Sequence, residues 1–147
     1  MNTSGLRSPS THRLRRPIRA IAERTLGGRI RASFVVDPWA YLDSEGSLLD
    51  EYLGHPEPSW LSGIIRFGST GPEGRPRTSD IGCWRRHRDK YSLTWKSCPG
   101  RLHITRDDVG RYPFDPRPGI WWVCSSCHLT GVIERWEGTP FDQRPRA

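Results

Sequence analysis

Trp122-Val123-Cys124-Ser125-Ser126-Cys127-His128 is the stretch on which the reading of this chain turns. It sets two thiols three positions apart, directly after an alternating apolar run. The other two cysteines lie upstream, Cys83 alone and Cys98 in a tight Cys98-Pro99-Gly100 turn. Working outward, polar and apolar residues alternate from Tyr91 to Lys96, with Tyr91, Leu93 and Trp95 on one face. Alternation returns in Arg101 to Thr105 and in Gly119 to Val123, and Gly131 to Trp136 supplies a last strand. Short strands joined by cysteine-bearing turns predict a mostly β fold, a small antiparallel sheet over residues 81–142. A Cys-x-x-Cys turn places two thiolates about 2.3 Å from a Zn²⁺ ion, which takes four ligands in a tetrahedron. The expected ligands are therefore Cys83, Cys98, Cys124 and Cys127, with the first pair spread over a long hairpin.

Composition explains why such a centre is needed. Only 34% of the 147 residues are apolar, against 13 Pro and 15 Gly, enough for one domain plus tails but thin for a large core. Structural zinc contributes on the order of 10 kcal/mol to folding and acts as a staple. No window holds the roughly 18 uninterrupted apolar residues of a membrane span. No apolar stretch of secretory type follows the basic N-terminus, so a cytoplasmic, reducing compartment is expected, where such cysteines bind metal.

Rival chemistries attach to the same residues. Cys124-Ser125-Ser126-Cys127-His128 is literally the c-type haem attachment string. Haem attachment needs export and usually a second axial ligand, and Met1 is the single methionine. A thiol–disulfide oxidoreductase needs its Cys-x-x-Cys at a helix N-terminus, whereas this one sits between strand patterns. His87, His103 or His128 is an alternative fourth ligand. Catalytic zinc keeps an open position, which four thiolates would close, so no enzyme is expected. Asp107-Asp108 reads as a turn and not as a catalytic dyad.

Charge divides the rest of the chain. Residues 1–33 carry eight Arg against one Glu, residues 34–57 six acids and no Lys or Arg. Residues 58–147 carry 15 basic and nine acidic side chains, and 21 of the 23 basic residues are Arg. Residues 1–33 are expected to form a largely disordered basic arm, with a weak helix from Pro17 to Gly28. An organelle transit peptide, a solvated tail or a start assigned too early would share that composition. Residues 34–80 read as an acidic segment with a short α/β extension. In it Asp37-Pro38 caps a helical turn, and Asp43 to Gly46 turns a hairpin between Tyr41-Leu42 and Leu48-Leu49. A short helix beginning at Ser47 and Asp50 is the other reading of that stretch. His55-Pro56-Glu57-Pro58 is expected to be a stiff linker, Trp60 to Phe67 a strand, and Gly68 to Asp80 a loop. Residues 143–147 are a tail.

The segment Cys83…Cys98-Pro-Gly-Arg-Leu, then Trp122-Val-Cys124-x-x-Cys127-x-x-x-Gly131-Val-Ile133-x-x-Trp136-x-Gly138-Thr139-x-x-Asp142, resembles a family of short bacterial proteins with no established function. They share C…C-x-G-x-L…W-x-C-x-x-C-x-x-x-G-x-I-x-x-W-x-G-S/T-x-x-D over what is here roughly the C-terminal 40% of the chain. The resemblance implies a zinc-ribbon-like fold with the four cysteines as ligands. This chain departs from it in carrying His128 where the relatives often have Gly, and in a wider gap between its first two cysteines.

Neighbours in a strand face opposite ways, so of Trp121 and Trp122 one must leave the core face. Trp121, Trp122 and Trp136 are either core planks or a stacking platform for bases, the core role being the commoner, and Trp121 is taken as the outward residue. An outward Trp121 with Arg85, Arg86, Arg88 and Arg101, aided by Arg13, Arg15 and Arg16 of the arm, would suit DNA or RNA. A protein–protein adaptor docking through the acidic segment and the exposed Trp is the alternative.

Overall fold

The computed structural model describes residues 18–26, 29–88, 94–110 and 116–145. Among these the chain is mostly β. Six strands form one sheet: β1 (Ile18–Leu26), β2 (Arg29–Val36), β3 (Arg77–Gly82), β6 (Arg101–Asp107), β7 (Gly119–Cys124) and β8 (Thr130–Ile133). Their spatial order is β1-β2-β8-β7-β6-β3. A separate two-stranded ribbon, β4 (Arg86–Arg88) with β5 (Trp95–Ser97), stands between β3 and β6 in the chain. One α-helix, α1 (Pro56–Ser69), packs on β6, β7 and β3.

The sheet is larger than the antiparallel unit expected from residues 81–142, and it is mixed. β6, β7 and β8 pair antiparallel in the registers Ile104–Trp122 and Trp122–Gly131. β8, however, lies parallel to β2, with Phe34 against Gly131 and Val36 against Ile133. The extension is thus a structural part of the sheet. Residues 18–26, expected as a weak helix within a disordered arm, form a strand antiparallel to β2 with a bulge between Ala20 and Ala22. A pairing partner overrides a weak local preference in this way. Met1 to Pro17, with Arg13, Arg15 and Arg16, lie outside the described residues.

A second correction concerns α1. His55-Pro56-Glu57-Pro58 is its N-terminus and no linker, with His55 as N-cap and Pro56 at the first helical position. The first-turn N–H groups have no intrahelical acceptor, so prolines cost nothing there. Trp60 to Phe67 is helical and not a strand; Leu61, Ile64, Ile65 and Gly68 are its buried stripe. Leu61, Ile64 and Ile65 each gain about 1.5–3 kcal/mol from burial. The expected loop at 68–80 is shorter, because α1 runs to Ser69 and β3 begins at Arg77. The Arg77 guanidinium donates to the Phe67 carbonyl and lies 4.1 Å from the Phe67 ring centroid, tying the two elements together.

The acidic segment folds largely as read. Asp37 accepts from the Trp39 N–H at 3.0 Å and starts a 3-10 turn over Pro38–Tyr41. Leu42 bridges Leu48 across the Asp43–Gly46 turn, as in the hairpin reading, and Asp50–Tyr52 adds one 3-10 turn.

The core lies between α1 and one face of the sheet. It contains Val36, Leu102, Ile104, Ile120, Trp122 and Ile133, and Tyr41 and Trp136 close its ends. Gly131 is required at its centre, since a Cβ there would overlap the Trp122 ring. Gly68 lets α1 approach closely; its Cβ would fall 2.6 Å from Ile120 Cγ2.

Replacing Gly131 by Ala is expected to destabilise the fold by about 2–3 kcal/mol, the upper range for forced overpacking. Ile64→Ala should cost about 2–4 kcal/mol by leaving a cavity under α1. Urea unfolding followed by far-UV circular dichroism measures both, and full stability of Gly131→Ala would contradict the Trp122–Gly131 packing.

Candidate metal centre

Antiparallel pairing brings the end of β3, the start of β6 and the end of β7 to one end of the sheet, and all the cysteines sit there. Cys83 follows β3, Cys98 precedes β6, Cys124 ends β7, and Cys127 lies in the turn to β8. Cys83, Cys98 and Cys124 are buried and Cys127 is half-buried. All four Sγ atoms lie within 4.8 Å of one another. Cys83–Cys127 and Cys98–Cys124 are each 3.6 Å apart. That is well beyond the about 2.05 Å of a disulfide, and all four are free. It is close to the about 3.8 Å edge of a tetrahedron whose corners lie 2.3 Å from a central ion. The donor set therefore fits a four-coordinate metal ion.

The backbone prepares the sulfurs. Ser126 N–H points at Cys124 Sγ and Arg85 N–H at Cys83 Sγ, both at 3.4 Å. Cys83 N–H donates to Gly100 and Cys98 N–H to Arg85, so the two upstream turns lock each other. Cys124 N–H donates to Leu129 and His128 N–H to Cys124, which closes the Cys124–Cys127 turn. Ser125 fastens that turn to β6, its N–H donating to Arg101 O and its hydroxyl accepting from Arg101 N–H.

Two positions are stereochemically demanding. A Cβ at Gly100 would run into Cys124 Sγ and lie 2.9 Å from Ser126 Cβ, so the turn after Cys98 admits only glycine. His128 adopts φ 63°, the left-handed region. Histidine enters this region more readily than most residues, whereas a β-branched side chain there is an outlier.

The thiols differ electrostatically. Burial pushes the Cys83 thiol far above its usual range, and burial likewise raises Cys127. Burial opposes ionisation of Cys124 as well. There the N–H groups of Cys127 and Ser126, with Cys98 and Cys127 thiols, outweigh it and lower the pKa to about 7. A cation among these sulfurs would favour every thiolate at once, most of all those of Cys83 and Cys127, whose ionisation burial opposes.

Of the other ligand candidates, His103 is occupied with Thr78 Oγ1, 3.0 Å from Nδ1, and His128 is exposed. His87 belongs to β4, and its side chain is outside the described residues. Arg85, Arg86 and Arg101 are exposed around the centre, and Arg88 lies in β4. Trp121 is not an exposed platform. It does leave the core face, but Val35 and Val132 pack with it, it is only 6% exposed, and its Nε1 donates to Arg117 O. Trp84 and Trp95 are the exposed tryptophans, Trp95 the more so at 62% accessible, although its alternation reads as a half-buried strand. Tyr91 and Leu93, the other residues of that face, lie outside the described residues. Sequence reasoning saw Gly100 as a turn residue but missed its packing against Cys124, and it missed Ser125; both roles depend on contacts across strands. The protein matches no family model, and no curated protein and no solved structure is similar to it.

Cys127→Ser is expected to lose metal and the cooperative melt, because a hydroxyl is a poor substitute for a thiolate. His128→Val should lower stability by about 1–3 kcal/mol, the cost of a strained left-handed residue, while His128→Gly stays at or above the parent. Thermal melts with metal analysis by mass spectrometry check these, and an unchanged melt of metal-free Cys127→Ser would show the centre to be dispensable.

Proposed function

We propose that this chain is a structural-zinc protein in which Cys83, Cys98, Cys124 and Cys127 hold one Zn²⁺, and that it uses the stapled surface to bind nucleic acid. The observation that carries the zinc assignment is the convergence of four free sulfurs within 4.8 Å of one another. A tetrahedral all-sulfur site suits zinc or iron. Zinc is preferred because it needs no redox partner and its closed thiolate sites are structural. The ion supplies a fixed dication that holds the ends of β3, β6 and β7 and the turn before β8. With four thiolates it leaves a net −2 cluster, and exposed Arg85, Arg86 and Arg101 beside it offset that charge. A centre closed by protein ligands has no position for substrate, which favours a binding role over an enzymatic one.

Charge supports the nucleic-acid part of the reading. From Cys83 to Arg101 the chain holds six Lys or Arg and one acid, Asp89. Arginine forks match phosphate oxygens, and the release of condensed counterions drives such binding. A protein-adaptor reading draws on the exposed acidic residues Glu45, Asp50 and Glu51, which lie apart from that basic stretch in sequence.

The purified chain is expected to be colourless with one zinc per chain, and chelation under denaturing conditions should release it together with four titratable thiols. A red protein containing iron would overturn the zinc assignment. Affinity for a labelled oligonucleotide should fall steeply with salt, with a log–log slope of about −2 to −3 for three or four phosphate contacts. Binding to a protein partner that ignores salt, with no oligonucleotide binding, would decide for the adaptor.

A further inference from the structure

We infer that the β4–β5 ribbon is a binding site for single-stranded nucleic acid, with Trp95 as the stacking platform and Arg86 as its phosphate-binding neighbour. This rests on the nucleic-acid reading above and specifies its surface and ligand class. The ribbon is placed to be rigid at its base. Cys83 lies three residues before it and Cys98 directly after it, so two of the four clustered thiols flank its two ends. The hydrogen bonds of Cys83 N–H to Gly100 and of Cys98 N–H to Arg85 close the same base. Trp84 adds an aromatic strut. It meets Trp60 edge-on at 5.8 Å and Phe34 at 6.1 Å, and Trp60 meets Trp122 in the core at 5.2 Å. Trp60 Nε1 donates to Gly82 O, which fixes that strut to the end of β3.

Trp95 has a different situation from Trp84. At 62% accessibility it is one of the most exposed large apolar side chains among the described residues. In the ribbon Arg86 pairs with Ser97 and Arg88 with Trp95. Alternate residues of a strand share a face, so Trp95 and Ser97 lie on one side with positions 86 and 88. The Arg86 side chain is exposed on that face, a diagonal neighbour of Trp95 within reach of a common ligand. Arg85 and Arg101, also exposed, flank the base of the ribbon, and exposed Lys96 lies on its other face. A flat apolar ring among cations is complementary to one ligand chemistry in particular, a base with its phosphates. Stacking on Trp95 needs a base face that is free. Duplex bases hide their faces in the stack, so the site selects single strands.

The test uses the full zinc-loaded chain and fluorescence anisotropy with fluorescein-labelled dT15, rU15 and a 15-base-pair duplex at 50 and 200 mM KCl. Binding of dT15 or rU15 should be at least about tenfold tighter than binding of the duplex. Trp95→Ala should weaken it by about tenfold or more, and Trp95→Phe should retain affinity to within about threefold. Arg86→Ala should weaken it and reduce the magnitude of the salt slope by about 0.7, the share of one phosphate. Zinc content and melting temperature should be unchanged in all three variants, because neither side chain is buried. If the parent binds nucleic acid but Trp95→Ala binds equally well, or the duplex is preferred, the ribbon is not the site and the broader reading stands. If the zinc-loaded parent binds none of the three probes at 50 mM KCl, both readings fall. Salt-insensitive capture of a protein, lost in Trp95→Ala, would assign the ribbon to a protein partner and overturn the inference.

Discussion

Four sulfur atoms crowded at one end of a sheet are the constraint on which the structure depends. Without a cation the arrangement is unfavourable: burial opposes ionisation of Cys83, Cys124 and Cys127, and neutral thiols are weak hydrogen-bonding partners. A divalent ion reverses the balance, since each thiolate then gains a coordinate bond and the N–H groups of Arg85 and Ser126 gain a charged acceptor. The same atoms that would strain a metal-free sheet hold its strand ends together when the ion is bound. A chain with so small an apolar fraction has few other means of doing so.

The hydrophobic core is joined to that centre through aromatic rings. Trp122 lies two residues before Cys124 on the same face of β7, covered by the bare backbone of Gly131 on β8. Trp60 of α1 packs edge-on against Trp122 and donates to the carbonyl just before Cys83. The core and the thiol cluster therefore share β7 and the end of β3, and each restricts the other. The parallel pairing of β8 with β2 extends this linkage to the N-terminal hairpin, placing Phe34 beside Gly131.

Three tryptophans show how far strand alternation carries. Trp122 is in the core and Trp121 on the opposite face, as adjacency in a strand dictates. Facing away from the core did not mean facing solvent, because Val35 of β2 and Val132 of β8 cover Trp121. Trp95 carries the reverse lesson. Its alternating neighbourhood resembles a half-buried strand, yet the ribbon it occupies has no second layer against it among the described residues. Alternation reports that two faces differ; which face finds a covering layer is settled by elements far away in sequence.

Sequence alone picked out the parts of the candidate centre: four thiols, the Cys124–Cys127 turn, the glycine after Cys98, and strands β6 and β7 with their alternation. Those features are local, carried by side-chain type and by spacings of two or three residues. The Asp37 cap and the Asp43–Gly46 turn were legible for the same reason. Tertiary structure decided the rest. It made Pro56 to Ser69 a helix, because the run of Trp60 to Phe67 fits either period until a sheet face selects Leu61, Ile64, Ile65 and Gly68. It made residues 18–26 a strand by pairing them with β2, and the sheet mixed by setting β2 against β8 about a hundred residues later. Ligand identity is a property of a residue, whereas exposure and pairing are properties of its neighbours in space.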